Sequence, residues 1–270
     1  MRFLKGHGTE NDFVILPDPD DGVEVTAALV AKICDRRAGI GADGVLRVAR
    51  TKEHTEVAEQ AAVADWFMDY RNADGSVAEM CGNGVRVFAR YLVDAGLVEG
   101  TEFCLATRGG PRRVRVEPNG DITVDMGKPA VLGESVAGVG GHEYPGLHVD
   151  MGNPHLACAI GDPVVQLDLS HQPGFDTGVF PAGVNIELFN PVGVSRVVMR
   201  VYERGSGETR SCGTGAVATA VAAAHMSGDT TGTWTVEVTG GSLTVILDED
   251  TSYLSGPAVI LASGELMLAE

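Results

Sequence analysis

Basic residues are scarce in this chain: 20 Lys and Arg stand against 37 Asp and Glu in 270 residues, a formal net charge of −17. Binding a nucleic acid means neutralising phosphates with Lys and Arg, so no nucleic-acid partner is expected. The acidic surface is read as serving solubility. No apolar run is long enough to span a bilayer. The segment Met1-Arg2-Phe3-Leu4-Lys5-Gly6-His7 lacks the apolar core of a signal peptide. The expectation is a cytoplasmic protein with no membrane partner. Cysteines number five, and no Cys-x-x-Cys occurs. An odd count without paired spacing argues against a disulfide framework or a zinc ribbon, and no metal site is expected.

What is present is enough apolar residue, 44%, for a real core, and enough length for two domains. The text is rich in strands. Thr26–Arg37 reads as a helix, with Thr26 as its cap and Gly39 as its stop. Residues 51–65, charged and rich in Ala, read as a surface insertion or loose helix. Trp66–Arg71 reads as a strand ended by the turn Asn72-Ala73-Asp74-Gly75. A helix follows Cys81 to about Asp94, and short strands are expected over Phe103–Ala106, Arg113–Val116 and Ile122–Met126. A change to Gly and Val places a boundary near residue 128. Domains are therefore expected over 1–128 and 129–257, with a last strand in 258–270 crossing back to the first. Cys34, Cys104 and Cys158 read as small buried hydrophobes.

The second half repeats the grammar of the first. Met80-Cys81-Gly82-Asn83-Gly84 and Ser211-Cys212-Gly213-Thr214-Gly215 align at an offset of 131 residues, each between a strand and a helix. Tyr70 and Tyr202, and Gly96 and Gly228, then fall within one residue of alignment. Asn11 and Asn153 form a looser correspondence. This is a two-fold repeat at the scale of domains.

A helix start carries unpaired N–H groups and the positive end of the dipole, so it favours an anion, and glycine lets that anion approach the backbone. A Cys there can have its thiolate stabilised. One such turn is a weak signal, open to a phosphate cradle, a plain helix start or an acyl-transfer nucleophile. Neither turn carries the dinucleotide fingerprint or a phosphate-loop Lys. Two equivalent thiols have a natural chemistry: one takes a proton from one face of a carbon and the other returns it to the opposite face. Neither a flavin nor a pyridoxal motif is evident, so no cofactor is expected.

These residues resemble the diaminopimelate epimerase family over essentially the whole chain. The resemblance rests on Lys5–Phe13, Asp35–Gly44, Asn72–Ser76, Met80–Arg86, Gly152–His155, Gly183–Glu187, Glu203–Gly205 and Glu208–Gly215. It implies an α+β fold of two pseudo-symmetric domains, each a mostly antiparallel sheet around a central helix. It implies a cofactor-independent isomerase interconverting LL- and meso-diaminopimelate in lysine and peptidoglycan precursor biosynthesis. Cys81 and Cys212 would be the acid–base pair, by family convention donor and acceptor, with roles that swap with direction. His155 and Glu203 would tune them. The backbone at Gly82, Asn83, Gly213 and Thr214 would hold the reacting carboxylate. Asn11, Asn72, Asn153, Asn185, Glu203 and Arg204 would bind the rest of the substrate, for which an Arg fork and uncharged Asn side chains suit a zwitterion. The partner expected is that small-molecule substrate, with a homodimer left open, and the thiols should need a reductant.

Two positions depart from the family pattern. Gly44 stands where many members carry Gln, and Glu10 where a smaller residue is frequent. The rivals are a proline-racemase-like enzyme, whose first motif usually has His where this chain has Asn83; a phenazine-type isomerase, which would lack the thiols; and a catalytically silent binder. Apart from the resemblance, His155 reads as a structural His, Glu203-Arg204 as a solvated strand end, and Asp43 and Asp74 as turn carboxylates.

Overall fold

The computed structural model describes residues 1–267, so the end of the expected last strand, Leu268 to Glu270, lies outside the described residues. The chain forms two compact units, Met1–Val124 with the segment from Pro257, and Asp125–Gly256. Among the described residues no helix is long and apolar enough to cross a membrane.

The first unit contains β1 (Arg2–Gly8), β2 (Asn11–Pro17), α1 (Ala27–Cys34), β3 (Gly44–Arg50), β4 (Trp66–Asn72), α2 (Gly82–Asp94), β5 (Glu102–Leu105), β6 (Arg112–Val116), β7 (Ile122–Gly127, whose last residues fall in the second unit) and β18 (Val259–Glu265). Five strands form a sheet in the order β18-β1-β2-β3-β4. Only β2 and β3 pair in parallel. Helix α2 packs on this sheet through Val85, Val87, Phe88, Ala89 and Leu92, all fully buried.

The second unit contains β8 (Ala130–Val139), β9 (His142–Asp150), β10 (Pro154–Ala159), β11 (Gly174–Phe175), β12 (Asn185–Gly193), β13 (Arg196–Glu203), β14 (Gly207–Thr209), α3 (Gly213–Ser227), β15 (Gly232–Val238), β16 (Gly241–Leu247) and β17 (Ser252–Gly256). Its strands run β11-β8-β9-β10-β12-β13-β15-β16-β17, with β14 beside β13. The β10–β12 and β13–β15 pairs are parallel and the other pairings described are antiparallel. Helix α3 is buried from Gly213 through Ala224. A helix that is small and apolar on every side can be surrounded by sheet, and the run of Ala in α3 keeps its radius narrow enough for that. Gly228 ends it in the left-handed conformation, φ 77°.

Three local expectations are corrected. Helix α1 stops at Cys34 rather than Arg37, because the Asp35 carboxylate takes the backbone N–H groups of Arg37 and Ala38, both at 2.7 Å, and offers the chain a turn instead. Thr26 does cap it, accepting from Leu29 N at 3.2 Å. Residues 51–65 are two short 3-10 helices, Thr51–Glu53 and Thr55–Ala62. They are tied down by buried Gln60, whose amide exchanges hydrogen bonds with the backbone of Thr107. Cys104 is half-buried rather than buried, whereas Cys34 and Cys158 are buried. Burial pushes the Cys34 and Cys158 thiols up to about 11 and about 12.

Candidate active site

In the first unit, Cys81 is the N-cap of α2 and its sulfur accepts the backbone N–H of Gly84 at 3.4 Å. The thiol donates toward Asn11 Oδ1 at 3.8 Å, and Asn83 Nδ2 donates to the same oxygen at 3.2 Å. Asn11 in turn donates to Asp43 at 2.7 Å. Asp43 and Asp12 both accept from Arg36, and Lys5 donates to Asp12. So Asp43, read as a turn carboxylate, also fixes which way the Asn11 amide faces. Behind the cluster lies Arg86, fully buried, donating to Asn83 Oδ1, Thr9 Oγ1 and Pro257 O. Burial pulls its guanidinium down to about 10, and charge on Cys81 opposes that shift. Asn72, at the end of β4, is held by Tyr70 Oη at 2.8 Å and by Ser76 Oγ at 3.0 Å.

Gly44 pairs with Asn72 across β3 and β4. A Cβ there would meet Arg71 O at 2.5 Å and Tyr70 Cε2 at 2.8 Å. The missing side chain at this position is therefore matched by a backbone that leaves no room for one.

In the second unit, Cys212 is the N-cap of α3, and its sulfur accepts from Gly215 N at 3.4 Å with Thr214 Oγ1 at 3.5 Å. Burial raises the thiol well above its usual value, and the negative charges of Glu203 and Glu187 raise it further, against weaker help for the thiolate from Thr214 and Gly215. Glu203 accepts from Thr209 Oγ1. His155 faces Glu187 Oε1 through Nδ1 at 2.7 Å and Asn153 Oδ1 through Nε2 at 3.1 Å. Asn185 donates to Pro154 O and accepts from the backbone N–H of Arg204, both at 3.0 Å. The Arg204 side chain is exposed and reaches Ala182 O at 3.4 Å. Thus Glu203 bears on Cys212, His155 and Asn153 form one group, and Asn185 positions the Arg204 backbone.

Strand register shows how far the repeat extends. Phe13 pairs with Gly44 in the first unit, and His155 with Asn185 in the second. Following these registers, Asn11 matches Asn153, Phe13 matches His155, Gly44 matches Asn185, Leu46 matches Glu187 and Asn72 matches Glu203. The helices agree: a Cβ on Gly84 would touch Leu46, and one on Gly215 would touch Glu187. Glu187 had no assigned role in the sequence reading. Its signal was a lone carboxylate inside the otherwise apolar run Ile186–Phe189, all of it buried.

A thiol capping the central helix of each of two like units defines the class to which the chain's fold points. Two solved structures share that fold. A phenazine biosynthesis protein of the PhzF family from Bacillus anthracis is 16% identical with TM-score 0.72, covering 99% of both chains. A probable proline racemase from Agrobacterium radiobacter K84 is 13% identical with TM-score 0.67, covering 99% of this chain and 93% of the other. The family model for diaminopimelate epimerase matches residues 3–132 and 147–261. Proteins named diaminopimelate epimerase from Thermobifida fusca, Streptomyces coelicolor and Mycolicibacterium smegmatis are 56%, 52% and 50% identical, over 100%, 98% and 98% of this chain and 99%, 95% and 97% of theirs. The chain belongs to the diaminopimelate epimerase family.

Proposed function

We propose that this protein is an isomerase that interconverts LL- and meso-diaminopimelate, serving lysine and peptidoglycan precursor synthesis, by moving an α-proton between two cysteines. The observation that carries this is the pairing of full-length identity of 50–56% to proteins of that name with an N-cap thiol on each central helix. One thiolate removes the α-proton and the other thiol delivers a proton to the opposite face. The two domains, broadly residues 1–128 and 129–257, each supply one thiol.

Burial and the charges of Glu203 and Glu187 raise the Cys212 thiol. The two thiols serve as donor and acceptor, and the roles exchange with direction. Backbone N–H groups at Gly82, Asn83, Gly213 and Thr214 receive the reacting carboxylate, where the helix ends stabilise charge that builds as the proton leaves. Asn11, Asn72, Asn153, Asn185 and Arg204 hold the amino groups and the distal carboxylate. Glu203 and His155 tune the thiols.

The test is α-proton exchange of diaminopimelate in deuterated water with a reductant present. Deuterium should enter the α-carbon as LL and meso forms interconvert. Unchanged α-protons after prolonged incubation would sink the reading.

A further inference from the structure

The pair His155 and Glu187 is buried beyond what a structural role explains. Both side chains are 0% exposed. Glu187 Oε1 bonds His155 Nδ1, while Oε2 is buried with no hydrogen-bond partner. An orphaned carboxylate oxygen costs stability, so the residue is retained for something other than packing. The fold itself does not require it. At the matched places in the first unit stand Phe13 and Leu46, also fully buried. The carboxylate is also pressed against the start of α3: a Cβ on Gly215 would lie 2.6 Å from Oε1.

We propose that Glu187 is a positioning residue that holds the proton on His155 Nδ1 and so aims Nε2 at Asn153. The inference deepens the epimerase reading above and rests on it. The chemistry is direct. An ionised carboxylate only accepts hydrogen bonds, so Nδ1 facing it at 2.7 Å must carry the hydrogen. The other nitrogen, Nε2, faces a second acceptor, the amide oxygen of Asn153, so the ring is held between two oxygens. Nε2 sits 3.1 Å from Asn153, one of the residues assigned to the substrate. Without Glu187 the ring could rotate or change tautomer, and Nε2 would lose its aim. The other titratable groups around the pair are His148 on β9, Cys158 on β10 and Cys212 on α3, with Glu203 on β13 acting on Cys212.

The experiment labels the full-length protein with 15N-histidine and identifies His155 by the signal lost in a His155→Gln variant. In the wild type, Nδ1 should carry a proton bonded to the carboxylate. A bare Nδ1 overturns the proposal, and this arm needs no altered Glu187. Glu187→Leu, which installs the residue of the matched site, should lose the Nδ1–H tautomer and lower kcat by about 10²-fold, the lower end of what a placed acid–base group contributes, with KM little changed. Glu187→Gln keeps an acceptor and should keep the tautomer, recovering part of kcat with a shifted pH profile. A purely structural Glu187 would move the melting temperature and leave the tautomer and pH profile alone, and that result also overturns the proposal. If wild-type protein fails to epimerise diaminopimelate, the function reading falls while the tautomer result still stands or falls alone.

Discussion

Cys81 and Cys212 occupy the same place on their own helices: each is the N-cap, and each sulfur accepts the backbone N–H three residues on at 3.4 Å. Their electrical surroundings differ. The buried charge near Cys81 is the cation Arg86, at the helix position where α3 has Val217. The charges near Cys212 are the carboxylates of half-buried Glu203 and buried Glu187. Attraction between a cation and a thiolate is mutual, and so is repulsion between a carboxylate and a thiolate. Two like caps therefore stand in different electrostatic surroundings.

Replacing either cysteine by serine should abolish turnover while keeping the helix cap, since Ser is a good N-cap. For Cys81→Ser and for Cys212→Ser alike, kcat should fall by at least about 10²- to 10⁴-fold, the worth of a placed acid or base. The melting temperature should stay near that of the wild type. α-Proton exchange by NMR and thermal melts measure the two effects. A variant retaining a tenth or more of wild-type activity, on the order of one decade in rate, would remove that thiol from the mechanism.

Glu203→Gln should make the Cys212 thiol more reactive. After burial, the Glu203 charge is the largest influence raising that thiol, so removing it shifts the balance toward thiolate. Iodoacetamide labelling of the Cys212 peptide, followed by mass spectrometry across pH 7 to 9, a range bracketing the free thiol value of about 8.5, reads the change. Labelling should become faster at each pH in the variant. An unchanged or slower rate would show that Glu203 does not set the thiol.

The repeat, the two caps and the strands beside them were legible in the sequence because they depend on local chemistry: Cys-Gly turns, helix-ending glycines and alternating apolar residues. The family residues were legible by resemblance. What stayed hidden depends on strand register. His155 and Glu187 are 32 positions apart, and only the parallel pairing of β10 with β12 brings them together. The burial of Arg86 could not be read from its own helix, because its acceptors Thr9 and Pro257 come from distant segments. The end of α1 was missed for a local reason, since Asp35 competes for the backbone more effectively than the apolar spacing suggests.

The two glycines three residues after the thiols should respond differently to alanine. In Gly84→Ala the new methyl meets Leu46 Cδ2 at 3.2 Å and Cys81 Cβ at 3.4 Å, contacts that a flexible side chain can relieve. In Gly215→Ala it meets Glu187 Oε1 at 2.6 Å and Cys212 Cβ at 3.2 Å. The carboxylate must move, and its hydrogen bond to His155 moves with it. Gly215→Ala should therefore destabilise by about 1–3 kcal/mol, as overpacking does, and depress kcat, while Gly84→Ala remains near wild type in both. Equal effects at the two positions would contradict the asymmetry.

Acid should weaken the first unit through Asp12. Burial alone would raise this carboxyl, but hydrogen bonds and charge from Arg36 and Lys5 outweigh it and hold the group at about 2, below the ordinary 3.8. The folded value lies below the unfolded one. The ion pairs therefore contribute stability that is present above about pH 4, the unfolded carboxyl value, and is lost as pH falls through about 2. The contribution is on the order of 2 kcal/mol at most. Asp12→Asn should lower stability at pH 6 and flatten its decline between about pH 4 and pH 2. Urea unfolding of both proteins across that range measures the difference. The same variant should also weaken epimerisation, because Asp12 and Asp43 share Arg36, and Asp43 orients the Asn11 amide beside Cys81. A variant with the acid sensitivity of the wild type would place the acid-labile contacts elsewhere in the chain.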